Sequence, residues 1–263
     1  MSTMPALFLG HGSPMNAIEP GAATKAWKTL AAELPRPKTI LCISAHWLTR
    51  GTCVTVSLHP ETIHDFGGFP PALHEVQYPA PGAPALAQRI QQLLSPAPVL
   101  ADQDWGLDHG TWSLLLHMYP EADIPVVQLS LDATLTNAQH YAMATHLQAL
   151  REEGVLILGS GNVVHNLQRL QSATVSPPPA WALEFEKRVE SSILNADHQA
   201  LIDYSRIGDS ARLAVPTSEH YLPLLYVLAQ QRPGETAKIP YTGIEHGTIS
   251  MLCAQVGSNQ KFK

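Results

Sequence analysis

Short runs of consecutive apolar residues alternate along the chain with segments whose apolar positions recur with a helical period. The runs predict buried strands over residues 6–9, 39–44, 53–57, 126–130, 155–158 and 249–253. The periodic segments predict helices over residues 22–34, 84–94, 110–118, 136–154, 181–194 and 222–230. Strands that are apolar on both faces and alternate with helices are typical of sheets that helices cover. We therefore predict an α/β fold with a single domain over residues 1–263, in which helices cover both faces of a central, mostly parallel sheet.

Three histidines come shortly after predicted strands: His11, His46 and His165. In open α/β sheets the ligand site lies at the carboxyl ends of the parallel strands, so we expect these three rings to converge. Glycines surround His11, and the segment 159–161 (Gly-Ser-Gly) precedes His165. Glycine allows a sharp turn or a close approach of the backbone to a ligand at such positions.

Two more histidines precede predicted helices. His220 lies close to Pro223, which is tolerated only in the first turn of a helix, so the helix begins beside this histidine. His109 follows Asp108, whose charge suits either a helix N-terminus or the orientation of a neighbouring ring. Each of these histidines is also compatible with a simple capping segment.

The composition points to an imidazole site. The chain has 13 histidines but only 3 cysteines, with no Cys-x-x-Cys pair, so a disulfide framework or a thiolate zinc site is not expected. His140 and His146 lie on a predicted amphipathic helix without (i, i+4) spacing, and we expect both to be exposed.

The charge and hydropathy of the chain limit its partners and its compartment. A net charge of −6 without a basic cluster argues against nucleic acid, and the apolar runs are too short to span a membrane. The few unpaired cysteines and the lack of a basic, apolar leader pattern predict a cytoplasmic protein. No pattern in the sequence specifies an oligomeric state.

Seven motifs then occur in a fixed order along nearly the whole chain. They are Gly-His-Gly-Ser-Pro (10–14), Ser-Ala-His-Trp (44–47), Asp-Phe-x-Gly-Phe-Pro (65–70), Tyr-Pro-Ala-Pro-Gly (78–82), Leu-Asp-His-Gly-x-Trp (107–112), Gly-Ser-Gly-Asn-x-x-His-Asn (159–166) and Glu-His-Tyr-Leu-Pro-Leu-Leu (219–225). Together they resemble the class III extradiol ring-cleaving dioxygenases, and most closely the 4,5-DOPA extradiol dioxygenase branch.

This resemblance implies one α/β domain that binds one divalent metal ion, Fe(II) for dioxygenase activity. By motif, His11, His46 and His220 match the metal ligands. His165 matches an acid/base histidine beside the open coordination positions, which approaches the metal when no substrate is bound. His109 matches a second active-site histidine near the substrate. Three imidazoles also suit Zn(II), which can occupy the site in the purified protein.

Other branches of the class use two histidines and a carboxylate, so Glu219 is an alternative to His220 as the third ligand. The implied reactants are a small-molecule catechol and O₂. Phe66 and Phe69 lie in a segment with two glycines, and we predict that this segment covers the site and packs on the substrate ring. Two other functions remain compatible with the same histidines: a zinc-dependent hydrolase and a non-catalytic metal-binding homologue.

Overall fold

The computed structural model describes residues 3–171 and 177–257. The strands are β1 (Ala6–Gly10), β2 (Thr39–Ser44), β3 (Leu48–Thr49), β4 (Thr52–Thr55), β5 (Val99–Asp102), β6 (Val126–Gln128), β7 (Leu131–Asp132), β8 (Val155–Gly161), β9 (Ala237–Tyr241), β10 (Ile244–Glu245), β11 (Ile249–Ser250) and β12 (Cys253–Val256). The α-helices are α1 (Ala22–Glu33), α2 (Pro71–His74), α3 (Pro84–Leu94), α4 (His109–Met118), α5 (Asn137–Thr145), α6 (Ala149–Glu152), α7 (Ala180–Leu194), α8 (His198–Ile202), α9 (Asp209–Ala214) and α10 (Leu222–Leu228).

A six-stranded sheet in the order β6-β2-β8-β1-β12-β9 forms the centre of the molecule. The first four of these strands are mutually parallel, whereas β12 runs antiparallel to both of its neighbours, β1 and β9. The remaining strands form three small pairs outside this sheet: β10 with β11, β3 with β7, and β4 with β5. The predicted fold class, a mostly parallel sheet in an α/β domain, is confirmed.

Successive residues of the central strands bury their side chains on opposite faces of the sheet, which explains why these strands are apolar throughout. On β1, Leu7 and Leu9 belong to an apolar core that also contains residues of α1 and α4. Ala6 and Phe8 belong to a second core, which contains residues of α3, α5, α7 and α10. Helices therefore cover both faces, as predicted, and two apolar cores hold the strand ends in place.

Two predicted elements are divided in the structure. The predicted helix over 136–154 begins with the expected capping box of Thr136 and Gln139, but it breaks into α5, a 3-10 turn over His146–Gln148, and α6. The predicted strand over 249–253 is also wrong as a single element. Between β11 and β12, the Met251 N–H donates to Gly243 and the Leu252 N–H donates to the Ser250 hydroxyl, so the chain bends there.

The strand predicted over 53–57 corresponds to β4, which pairs with the unpredicted β5 and not with the central sheet. The domain range of 1–263 stays a prediction, because residues 1–2, 172–176 and 258–263 lie outside the described part of the chain. Among the described residues, no helix is both long enough and apolar enough to cross a membrane.

Candidate metal centre

Two histidines, His11 and His46, lie close together just beyond the carboxyl ends of two parallel strands. His11 directly follows β1, and His46 comes two residues after β2. Strand β8 lies between β1 and β2 in the sheet, so these two histidines reach towards each other across its end. Their Nε2 atoms are 3.1 Å apart. This is the convergence predicted from the apolar runs.

Ser160, near the end of β8, fixes the orientation of the His11 ring. The Ser160 hydroxyl donates its single hydrogen to the carbonyl of Gly110, at 2.5 Å, and its oxygen lies 3.0 Å from Nδ1 of His11. Because that hydrogen is already used, Oγ accepts from Nδ1–H of the ring. The tautomer assigned from this network leaves the lone pair of His11 Nε2 directed towards His46.

His220 reaches the same place from the start of α10. Its carbonyl accepts from the Asn162 N–H at 2.8 Å, and a Cβ atom on Gly161 would lie 2.2 Å from this oxygen. Only glycine therefore allows α10 to begin so close to the end of β8. The ring centroid of His220 is 5.4 Å from that of His11 and 5.0 Å from that of His46.

The two nitrogens of the His220 ring have different surroundings. Nδ1 lies 3.3 Å from Oε1 of Glu219, which also accepts from the Thr217 hydroxyl at 2.7 Å. Nε2 is buried and has no hydrogen-bond partner among the described residues. Buried polar atoms in native proteins are nearly always paired, so this nitrogen, beside the His11 and His46 rings, is a candidate metal donor. Glu219 contacts the other side of the ring and orients it.

His109 and His165 complete a cluster of five histidines. His109 is the first residue of α4, and its ring centroid lies 3.9 Å from that of His46. His165 stacks on His220, with centroids 3.5 Å apart and an interplanar angle of 8°. By the spacing of their nitrogen and oxygen atoms, two groups could each hold a metal ion: His11, His46 and His109, and His165, Glu219 and His220.

Burial keeps four of these imidazoles neutral. It lowers the pKa of His11 and of His220 well below the ordinary value, and the neighbouring histidines lower it further. Burial, followed by the charge of His109, lowers the pKa of His46 to about 3. Burial lowers the pKa of His165 to about 4, although the charge of Glu219 opposes this shift. Their lone pairs are therefore available to a cation at pH 7.

These residues fit a divalent transition metal. Two nitrogens bound to one ion at about 2.0–2.1 Å lie roughly 3 Å apart, which is the separation of the His11 and His46 Nε2 atoms. The unpaired Nε2 of His220 supplies a third donor of the same type. An imidazole donor set suits zinc, copper, iron or nickel and does not suit calcium or magnesium.

A cavity of about 410 Å³ opens beside the histidines. The Phe66 ring packs edge-on against His109 at 5.5 Å and against Phe69 at 5.3 Å, and both phenylalanines line the cavity. Four other residues line the cavity and are not predicted from the sequence: Leu167, Leu170, His246 and Ile249. The two leucines closely follow His165, and their apolar side chains do not mark them as site residues in the sequence. His246 lies in a turn, where it has a positive φ of 48°.

The structure shows one of the two roles left open for Asp108 and contradicts the expectation for His140. Asp108 is fully buried and caps α4 by accepting the Thr111 N–H at 3.0 Å, so helix capping is its observed role. Burial raises the pKa of the Asp108 carboxyl. The expectation that His140 is exposed is wrong, because it is buried with its Nδ1 atom 2.9 Å from the Tyr226 hydroxyl. His146 is exposed, as expected.

Comparison with known proteins places the chain in a family. The model of the catalytic LigB subunit of aromatic ring-opening dioxygenase matches residues 5–250. The chain is 50% identical over 258 residues to the 4,5-DOPA dioxygenase extradiol of Escherichia coli K12, which covers 97% of this chain and 95% of that protein. It is 37% identical over 250 residues to the 4,5-DOPA dioxygenase extradiol of Beta vulgaris, with 92% of each chain covered. A crystal structure of an uncharacterized Escherichia coli K12 protein matches with a TM-score of 0.85 and 45% identity, covering 97% of this chain and 100% of that chain. The chain therefore belongs to the LigB family of class III extradiol, aromatic ring-opening dioxygenases.

Proposed function

We propose that this protein cleaves the aromatic ring of a catechol, DOPA or a related compound, with O₂ and one Fe(II) ion held by His11, His46 and His220. The observation that carries the proposal is the convergence of three imidazole rings beside an apolar cavity: the His11 and His46 Nε2 atoms are 3.1 Å apart, and the His220 ring, whose centroid is 5.0–5.4 Å from theirs, has a buried Nε2 atom without a partner among the described residues. The similarity to two 4,5-DOPA dioxygenase extradiol proteins supports a DOPA-like substrate. Bound there, the metal supplies the redox chemistry that couples a catechol to O₂.

His165 is the proposed acid and base. It lines the cavity, and its pKa of about 4 keeps the ring neutral at pH 7, ready to take a proton from a catechol hydroxyl. The unperturbed pKa near 6.5 that is usual for histidine does not apply in this buried position. The His165 imidazole then returns the proton as the catechol ring opens. His109 also lines the cavity, and we assign it to position the substrate or O₂.

The family favours this reaction over the two other functions that the histidines allow, a zinc hydrolase and a non-catalytic metal-binding protein. Zn(II) also suits the three imidazoles, and we expect it to compete with Fe(II) for the purified protein. A cytoplasmic location remains our inference. It is supported by Cys42, Cys53 and Cys253, which are all unpaired within the described residues.

Oxygen uptake by the Fe(II)-loaded protein with a panel of catechols tests the proposal. The bond between a hydroxylated ring carbon and its neighbour outside the diol breaks, and both atoms of O₂ enter the product. We therefore expect a yellow semialdehyde with one aldehyde and one new carboxylate, labelled twice from ¹⁸O₂. Metal-stripped and Zn(II)-loaded samples serve as controls and should consume no O₂. A dicarboxylic muconate product, or no uptake with any catechol, would refute the proposal.

The loop over 65–70 provides a prediction about substrate binding. Phe69 lines the cavity and packs on Phe66, so Phe69→Ala removes apolar surface from the wall that we assign to the substrate ring. Losing part of a buried phenylalanine contact costs about 1.4 kcal/mol, so we expect KM for catechols to rise about tenfold with metal content unchanged. Leu58→Ala, an exposed leucine that does not line the cavity, is the control. An unchanged KM across the panel would show that this loop is an ordinary turn that does not contact the substrate.

A further inference from the structure

The carboxylate of Asp65 lies behind two of the histidine rings. Its Oδ1 atom accepts from the backbone N–H of His109 at 2.9 Å. Its Oδ2 atom lies 3.0 Å from Nδ1 of His109 and 3.5 Å from Nδ1 of His46. The side chain is 17% exposed, and that of His109 is 6% exposed. One carboxylate therefore faces the same ring nitrogen of two neighbouring imidazoles in a largely buried place.

We propose that Asp65 is a positioning residue, which holds His46 and His109 in the tautomer with hydrogen on Nδ1 so that both Nε2 lone pairs face the centre. This assignment rests on the proposed function only for its effect on catalysis. The orientation of the two rings follows from the contacts themselves.

An ionised carboxylate only accepts hydrogen bonds, so a neutral imidazole that faces it with Nδ1 is stabilised when Nδ1 carries the hydrogen. The bond from the His109 backbone fixes the carboxylate and leaves Oδ2 free for the two rings. The 3.0 Å contact to His109 Nδ1 is not yet an aligned hydrogen bond. Such contacts commonly tighten when the substrate is bound.

The arrangement repeats around the site. Ser160 accepts from Nδ1 of His11, and Glu219 approaches Nδ1 of His220, so each of the three proposed ligand rings has an oxygen behind its outer nitrogen. Oxygen partners of this kind fix the tautomer and the angle of metal-binding histidines. Asp65 differs because it serves one proposed ligand, His46, and one histidine that is not a ligand in our proposal, His109. It thereby sets the spacing between the metal position and the substrate side of the cavity.

Asp65→Asn changes this chemistry with almost no change in volume. The amide oxygen still accepts from the His109 backbone, but the amide nitrogen now faces the rings as a donor. In the Zn(II)-loaded protein, long-range ¹H–¹⁵N NMR should show hydrogen on Nδ1 of His109 in the wild type and on Nε2 in the variant. Metal affinity should fall about 10–100-fold, as for other partners of ligand histidines. With saturating Fe(II), kcat should fall more than KM rises.

Two further variants complete the design. Asp104→Asn, at an exposed aspartate, should leave the tautomers, the metal affinity and the kinetics unchanged. Asp65→Glu keeps a carboxylate and should restore the Nδ1–H tautomer with part of the metal affinity. A wild-type His109 that carries hydrogen on Nε2, or an Asp65→Asn protein with unchanged tautomer and affinity, overturns the inference. Failure of the wild type to cleave any catechol refutes the proposed function instead, because the NMR result does not depend on turnover.

Discussion

His11→Ala should release the metal and abolish ring cleavage. The Nε2 atom of His11 lies 3.1 Å from that of His46, so its removal takes away one of the three proposed donors. Structural zinc sites are worth about 10–16 kcal/mol over their ligands, so losing one of three or four ligands should weaken binding at least about 100–1000-fold. Metal analysis of the purified variant measures this directly, and we expect His46→Ala to behave in the same way.

The control for this experiment is His146→Ala, because His146 is exposed and is not one of the proposed ligands. His140 would be a poor control, since it is buried against Tyr226 and its loss would disturb the core. Full metal occupancy in His11→Ala or His46→Ala would contradict our ligand assignment.

A matched pair of variants distinguishes the two candidates for the third ligand. We expect His220→Ala to lose the metal, and Glu219→Ala to keep it with affinity lowered about 10–100-fold, because Glu219 contacts the outer nitrogen of the ring. The reverse result, loss in Glu219→Ala and retention in His220→Ala, would make the carboxylate the ligand.

His165→Ala should separate binding from chemistry. His165 lines the cavity and stacks on His220, but the three proposed ligands do not include it. The variant should therefore keep Fe(II) and bind catechol, while kcat falls about 10²–10⁴-fold, the usual contribution of a general acid–base group. Steady-state oxygen uptake gives kcat, and a catechol titration of the Fe(II) protein without O₂ gives binding.

His59→Ala, at an exposed histidine, is the corresponding control and should have the kinetics of the wild type. Loss of metal from His165→Ala would instead show that His165 is a fourth ligand. That outcome would favour a closed, zinc-like site over one with open positions for a substrate.

The parts of the site carried by the central strands could be predicted from the sequence. The run that predicts a strand over 6–9 corresponds to β1, and the run over 39–44 corresponds to β2. Because parallel strands end at the same edge of a sheet, the positions of His11 and His46 after those runs already indicated that the two rings meet. The apolar character of these strands comes from burial on both faces, which is a strong and local signal.

Elements whose character is set by distant contacts could not be predicted in this way. Strand β9 is at the edge of the sheet, is only partly buried and contains Lys238 and Pro240, so it lacks an apolar run. His140 reads as a surface residue because its partner, Tyr226, is 86 positions away. The role of Asp65 depends in the same way on His109, 44 positions further along the chain. Only the folded chain brings these side chains together.

The wide separation of the proposed ligands has a consequence for how the protein matures. His11 and His46 come from the first fifth of the chain and His220 from the last fifth, and strands and helices that pack in the two apolar cores carry them. Metal binding cannot then nucleate the fold as it does in a zinc finger, because the ligands meet only after the sheet has formed. We therefore expect metal to load as the last step and to add stability by mass action, about 2.7 kcal/mol at a concentration 100 times its Kd. With the proposed ligand set, we therefore expect the supply of free metal to decide which fraction of the folded chains becomes active.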